Sequence, residues 1–431
     1  RRLWKRRGIA WFMRPGLASE SQREEMPAHT LVLFNDGFTL PQNAAGVVRY
    51  HRDDGTEQSD TIFAWSPVRK LVPGNLNRLS WDYLQGRPMT ASTPSCIDQG
   101  GTGNRFALGL DDYPIDVPHA GEDGDDYRDL GELRMKRHEY ESKCFYGEGS
   151  VRALCVGEWI ALSGHPDIDT HSPQEREFVI TRLEVDAENN LPKTLEERIE
   201  RLFALNRWHE AHFDSGLRQA SAERSMRYTN RFACVRRSIP IVPAFDPRTD
   251  LTRPQLQCAI VVGPPGEEVH CDEYGRVKVR FPGTRVEDHE HAQGAGASGS
   301  DRDSAWIRVA STWASNQWGT ITLPRVGDEV LVGFLGADPD KPVIVGQVYG
   351  RMAPPPAFSH AGALPGNRYV AGIKSKEVGG NRYNQLRLDD TAGQINAQLS
   401  SQHGHSELNL GWLTHPRKDG KGEARRMKNE R

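Results

Sequence analysis

Short apolar runs broken by turn residues set the pattern of the chain. His29-Thr-Leu-Val-Leu-Phe34 is apolar and β-prone, and Asn35-Asp-Gly37 ends it as a turn. Ser92–Gly109 is rich in Thr, Ser and Gly and reads as loop. Pro118–Asp129 is acidic and contains Gly, which predicts an exposed loop. From Tyr140 to Leu183 the candidate strands are Val151–Val156, Trp159–Leu162 and Phe178–Leu183, punctuated by Gly147, Gly149, Gly157 and Gly164. The pattern then changes period. Leu195, Ile199, Leu202, Leu205 and Trp208 recur every three to four residues, predicting a helix over Lys193–Ala211. Thr194 and Glu197 fit a capping box at its start, and a weaker helical stretch follows at Asp214–Tyr228.

Asp246–Pro254 carries two prolines and several charges, so an extended linker is expected. Beyond it the alternation is regular and β. Candidate strands are Gln257–Val262, Arg276–Phe281, Trp306–Ala310, Glu329–Leu335 and Pro342–Tyr349. Val277, Val279 and Phe281 alternate with Arg276, Lys278 and Arg280, the mark of a half-buried strand. About five strands in this span fit a small closed barrel of the OB type, with Pro282–Ser304 as a protruding loop and Trp306 as an interior anchor. Met352–Phe358 is Pro-rich and stiff. Asn384–Leu388 and Gln394–Leu399 alternate again but have few apolar neighbours in the sequence. Unpaired strands of this kind need a partner.

Composition narrows the class. A chain of 431 residues is expected to form two to four domains. Its 42 Gly and 27 Pro residues agree with many turns. The net charge of −3 shows no basic footprint for nucleic acid. No run reaches the ~18 apolar residues of a membrane helix, and the apolar part of Arg1–Phe12 is too short for a secretory signal. The first residue is not Met, so the chain is expected to start inside a longer protein. Six cysteines without CxxC spacing predict reduced thiols rather than a zinc knuckle or a redox pair.

A specific, ordered signature runs through the barrel block. It comprises Asp272-Glu-Tyr-Gly-Arg-Val-Lys-Val-Arg-Phe281, Trp306-Ile-Arg-Val-Ala310 with Trp313 and Trp318-Gly319, Leu323–Leu335, Asp338-Pro-Asp-Lys-Pro342 and Ile344–Tyr349. This resembles the valine-glycine-repeat (VgrG) spike proteins of type VI secretion systems, themselves similar to the fused hub and spike of contractile phage tails. Tyr140–Pro166, Asn230–Arg237 and Ile239–Pro243 resemble the hub part of that family, and Ser401–Gly411 the region after the barrel. The implied fold is mainly β with some α. The implied domains are a phage-hub-like β-barrel at 1–245, N-terminally truncated and with helices near 193–228; a linker at 246–255; an OB-fold spike base at 256–350; and a Pro-rich connector with the start of a β needle at 351–431. The implied function is that of a structural tip component, trimeric, which punctures target membranes and carries effectors. The alternatives are a phage tail hub or, in another class, an OB module binding nucleic acid or glycan.

The resemblance also implies partners. These are two further copies of the chain, the hexameric tube protein (Hcp) below the hub, baseplate components, and a PAAR-type tip protein with effectors at the needle end. No nucleic acid is expected, and a target membrane would be met only mechanically. Assembly is expected in the bacterial cytoplasm, followed by secretion through the machine. Leu386, Leu388, Ile395 or Leu399 would face the common axis, and in one chain this segment should project with low burial.

Catalytic chemistry finds no foothold in the residues. His209-Glu-Ala-His212 is one residue short of the zincin motif, whose i,i+4 histidines reach one metal. His289-Glu-His291 and His403-Gly-His405 lie in predicted loops, without a fixed ligand set. Glu122, Asp123, Asp125 and Asp126 lack the EF-hand order. Ser163 and Ser298 lack the flanking glycines of a nucleophile elbow. No catalytic, cofactor-binding or metal residue, and no cofactor, is therefore expected.

Overall fold

The computed structural model describes residues 1–15, 29–52, 59–187, 195, 198, 201, 228–283, 299–358 and 362–411. Two compact units divide the chain, Arg1–Asp250 and Leu251–Arg431.

The first unit opens with helix α1 (Arg2–Arg6) and strand β1 (Ala10–Pro15), which pairs antiparallel with β2 (His29–Phe34). Strands β3 (Gln42–Arg49) and β4 (Ile62–Arg69) belong to a larger sheet. A small sheet of β5 (Asn75–Asp82), β6 (Arg87–Pro94) and β7 (Asp111–Asp112) comes next, with α2 (Gly100–Leu108) inside it in sequence. Helix α3 (Gly124–Ser142) packs on β5 and β6 and leads directly into β8 (Lys143–Gly149). Strands β9 (Trp159–Ser163), β10 (Glu177–Ala187) and β11 (Tyr228–Arg236) complete the large sheet, in the order β3-β9-β10-β11-β8-β4. A bridge between Tyr50 and Ile62 joins the strands at its two ends, and the His51 N–H donates to Ile62 O at 2.9 Å. The sheet thus curls back on itself, which limits the exposed edge.

Its core is apolar and aromatic. Ile62, Phe145, Ile160, Phe178, Ile180, Phe232 and Cys234 are buried together, with Trp65 packed against them. Gly147 is required here: a Cβ would lie 2.3 Å from the Phe232 ring. Trp159–Leu162 and Phe178–Leu183 lie in β9 and β10 as their patterns predict. Val151–Val156 does not form a strand. It is a turn segment whose Val151 and Leu154 plug the same core.

Three further expectations are corrected. Pro118–Asp129 is not simply an exposed acidic loop, because α3 starts at Gly124 and the Asp123 carboxylate caps it by accepting from the Asp126 N–H. Acidic residues are favoured at that end by the exposed N–H groups and the helix dipole. Ser92–Gly109 is not all loop, since it contains the end of β6 and all of α2. The segment read as an extended linker holds a helical turn at Pro247–Asp250, and Asp250 pairs with Lys5 at 2.5 Å. Of the helix expected at Lys193–Ala211 only Leu195, Arg198 and Arg201 are described; the rest, and Asp214–Arg227, lie outside the described residues.

In the second unit β12 (Gln257–Val262), β13 (Lys278–Arg280) and β14 (Arg308–Val309) precede a small hairpin of β15 (Ala314–Ser315) and β16 (Trp318–Gly319). Then come β17 (Glu329–Phe334) and β18 (Pro342–Gln347). Five strands run in the order β13-β12-β17-β18-β14. Val277 and Ile307 exchange both backbone hydrogen bonds, at 3.0 and 2.8 Å, and so join the first strand of that order to the last. The result is a closed barrel, with Ala259, Val261, Val277, Val279, Ile307, Val330, Val332 and Ile344 inside it. Alternation along Arg276–Phe281 placed Val277 and Val279 on the buried side. Trp306 is a correction, because it is half-buried outside this core, its ring tilted against His270 at 5.0 Å with Lys278 Nζ 4.9 Å above it. Part of the predicted loop, residues 284–298, lies outside the described residues.

After the connector, β19 (Val370–Lys374), β20 (Asn384–Asp389), β21 (Asn396–Ser401) and β22 (Ser406–Gly411) form an antiparallel four-stranded meander.

Candidate functional site

The meander separates its residues by face. Its register puts Ile373, Leu386, Leu399 and Leu408 in one cross-strand row, and Ala371, Leu388, Ala397 and Leu410 in the next. The leucines and Ile373 in these rows are 42% to 67% exposed. Side chains alternate faces along a strand, so the other side carries Gln385, Arg387, Asp389, Asn396, Gln398 and Ser400. Those polar residues are the buried ones, Arg387 and Gln398 being 1% exposed. A soluble sheet normally does the opposite.

Hydrogen bonds make the polar side tolerable. Gln385 Nε2 donates to Gln398 Oε1 at 2.6 Å, and Gln398 Nε2 to Glu407 Oε2 at 3.2 Å. Arg387 Nη2 donates to Asn396 Oδ1 at 2.9 Å. Burial pushes the Arg387 guanidinium down from its ordinary range, against the pull of Asp389 and Glu407. The aliphatic side has no such compensation. Eight aliphatic side chains in register, with no charge among them, form a contiguous face of the kind that marks an interaction site.

The expectation of low burial from Asn384 onward therefore holds for one side only. Leu386, Leu388, Ile395 and Leu399 are exposed as read from the sequence, while the opposite side is buried. Leu408, Leu410 and Ile373 also belong to the aliphatic face and were missed. Alternation in Ser406-Glu-Leu-Asn-Leu410 was the signal for two of them.

A carboxylate fastens this region to the barrel within the second unit. Glu268 accepts from Arg325 Nη1 at 3.2 Å, from Lys376 Nζ at 3.2 Å and from the Gly379 N–H at 3.3 Å. The Lys376 hydrogen bond chiefly lowers the Glu268 pKa from its ordinary value. Arg325 Nη2 also reaches Lys376 O at 2.5 Å.

The motifs weighed for chemistry are dispersed. His209–His212 and His289–His291 lie outside the described residues. His403 faces the Arg382 guanidinium at 3.4 Å, a poor setting for a cation. Asp126 pairs with Arg7 and accepts from the Glu122 N–H, and Asp125 pairs with Arg128, so these acids serve α3. Among the described residues no three His, Cys, Asp or Glu side chains gather as a metal site, and no helix is long and apolar enough to cross a membrane. All six cysteines are free, and burial drives the Cys234 thiol well above its ordinary pKa.

Other buried polar groups brace the first unit. Arg137 on α3 donates to Pro243 O at 3.0 Å and Lys5 O at 2.6 Å, joining segments far apart in sequence. Burial pushes its pKa down to about 10. Arg78 pairs with Asp116 at 2.8 Å and lies over the Tyr127 ring at 4.7 Å. The Tyr127 hydroxyl also donates to Asp116, at 3.0 Å. On the barrel, Trp313 and Trp318 are exposed around the small hairpin.

Comparison with known proteins agrees with the modules just described. Residues 1–191 match the phage tail baseplate hub (GPD) family, and residues 267–349 the type VI secretion system/phage-baseplate injector OB domain. Residues 376–426 match the family described as putative type VI secretion system Rhs element Vgr. The type VI secretion system spike protein VgrG2a of Pseudomonas aeruginosa is 35% identical over 311 residues, 72% of this chain and 31% of its own length. VgrG1a of the same organism is 30% identical over 421 residues, 94% of this chain and 55% of its own. The actin cross-linking toxin VgrG1 of Vibrio cholerae is 32% identical over 194 residues, 45% of this chain and 16% of its own. A solved component of the E. coli type VI secretion system has a TM-score of 0.38 and 13% identity, covering 80% of this chain and 58% of its own. The chain thus spans about a third of VgrG2a and about half of VgrG1a. With hub, injector barrel and Vgr region in order along one polypeptide, the chain belongs to the VgrG family of type VI secretion system spike proteins.

Proposed function

We propose that this chain acts mechanically, as the hub and spike base of a trimeric tip, without catalysis of its own. The observation that carries the reading is the uncharged aliphatic face on the four-stranded sheet, left to solvent in one chain beside a closed, rigid barrel. Three copies around one axis would bury that face three times over. Closed barrels and short turns suit a part that is pushed rather than one that turns over substrate. The proposed domains are a hub at 1–245, a connection at 246–255, the injector barrel at 256–350, and a connector with the start of the needle at 351–431.

Within that reading the hub end meets the hexameric tube protein and baseplate. The needle end carries a PAAR-type tip and effectors. The protein assembles in the cytoplasm and leaves through the machine. The test is a deletion strain complemented with wild type or with Leu386→Asp/Leu399→Asp. Wild type restores tube protein in the medium, and the variant does not. Full secretion by the variant would count against a trimer built on this face.

A further inference from the structure

Like charges directly opposite each other on neighbouring strands repel, yet the large sheet of the first unit sets three cations side by side. The register puts Arg69 on β4 opposite Lys143 on β8. The β8–β11 ladder pairs Phe145 with Cys234, and two residues further along it Arg236 comes level with Lys143. By alternation Lys143 shares the side of Phe145, and Arg236 that of Phe232 and Cys234. The three cations therefore stand in one row at an end of the core, where the apolar side chains stop.

Little in the chain answers their charge. Among the described residues neither Arg69 nor Lys143 makes a side-chain hydrogen bond or ion pair. Arg236 Nη1 donates to Glu175 Oε1 at 3.3 Å, but its Nε is sealed from water and has no acceptor among the described residues. Glu175 is shared, its other oxygen accepting from the Ser172 N–H and hydroxyl at 3.2 and 3.1 Å. Asp98, the other carboxylate acting on Lys143, is taken up by the Gly100 N–H and the Asn104 amide. Burial first, then Arg236 and Arg69, push the Lys143 ammonium below its ordinary range. Helix α3 ends at Ser142, so its carbonyl end helps to hold cations here without neutralising them. A buried donor lacking an acceptor, beside unpaired charges, is a setting that a bound anion completes.

We propose that this row is an anion site, in which a phosphate-class oxyanion is held between Arg69, Lys143 and Arg236. A tetrahedral dianion offers several acceptor oxygens at once and meets donors arriving from three strands, whereas a planar carboxylate presents two. Guanidinium forks and a lysine ammonium are the groups that read phosphate oxygens. The same donors would take free phosphate or the phosphate of a monoester.

The experiment titrates the full chain with inorganic phosphate by calorimetry at constant ionic strength, with glycerol phosphate and acetate as parallel ligands. We expect one saturable phosphate site per chain. Lys143→Gln and Arg69→Gln each remove one charged donor and should weaken it about tenfold. Lys143→Arg should keep it, as should Lys70→Gln, whose side chain pairs with Glu141 at 3.6 Å. Trace acetylation read by peptide mass spectrometry places the ligand. A nearby anion raises an amine's pKa by about a unit or more, so saturating phosphate should slow labelling of Lys143 roughly tenfold. Lys136, on α3 and paired with Glu132, should label as before. Tighter binding of phosphate than of glycerol phosphate makes the free anion the ligand, and the reverse order makes it a monoester. No saturable binding, equal affinity in wild type and both Gln variants, or labelling of Lys143 that phosphate does not slow overturns the inference. Acetate binding as tightly as phosphate overturns the phosphate class.

Discussion

Replacing Phe178 by Ala removes the centre of the hub core. The ring is 0% exposed, on β10 between β9 and β11. It meets Trp65 edge-on at 4.9 Å and Phe145 edge-on at 5.0 Å. Phe→Ala in a packed core costs about 3–5 kcal/mol through lost transfer energy and the cavity left behind. Two edge-to-face contacts of about 0.5–1.5 kcal/mol each place this site in the upper half of that range. With a urea slope of about 2 kcal/mol per molar, the first unit's midpoint should fall by about 2 M. The assay is a urea titration at fixed protein concentration, read by pulsed hydrogen exchange so that each unit reports separately. Barrel peptides such as those of β17 should keep their midpoint. A loss under about 1.5 kcal/mol, or a barrel transition falling in step, would refute this account of the core.

Other consequences follow from single residues. Gly157 has φ +81°, and a Cβ would meet the Phe12 ring at 2.2 Å; Gly157→Ala should therefore cost at least about 1–2 kcal/mol by the left-handed penalty alone, visible as a lower unfolding midpoint. Arg137→Leu removes the guanidinium donors from the carbonyls of Pro243 and Lys5, the latter keeping only the Gly8 N–H, a loss of about 1–3 kcal/mol, and should speed proteolysis within residues 1–9. His138 Nε2 lies 2.8 Å from the Asp112 carboxylate and chiefly holds its pKa well below the ordinary range, against burial and with Arg134 adding a two-pronged contact. Because the folded-state pKa is depressed, this stabilisation is complete above the unfolded value of about 4 and fades as pH falls toward the folded one; Asp112→Asn should flatten the acid limb of a stability–pH curve. Iodoacetamide should alkylate Cys96 and Cys271 in the native protein and Cys234 only after denaturation, six sites in all without reductant.

How far the sequence could be read depended on whether burial and polarity went together. In the barrel's Arg276–Phe281 stretch they do: Val277 and Val279 alternate with Arg276, Lys278 and Arg280 and lie inside. Helix α3 breaks the link. Its buried positions are Tyr127, Leu130, Gly131, Met135, Glu139 and Ser142, a helical spacing in which half the residues are not apolar. Glu139 is buried because Ser95 Oγ and the Cys96 N–H donate to it, at 2.9 and 2.6 Å. No hydrophobic periodicity marks such a stripe, and the acids of its first turn looked like a solvated loop. The four-stranded sheet hides its sign in another way. Its alternation was legible from Asn384 to Leu399, but a pattern of period two does not say which side faces solvent. The six-stranded sheet joins strands far apart in the chain, such as β3 with β9, and local pattern carries no record of that pairing.

On the proposed reading, identical chains cover the aliphatic face. Light scattering on the natural full-length protein, at micromolar concentration and moderate salt, tests it most directly. Wild type should weigh three chains, and Leu386→Asp/Leu399→Asp a single chain. A wild type that stays a stable monomer with its C-terminal region intact, or a variant that still weighs three chains, would contradict it.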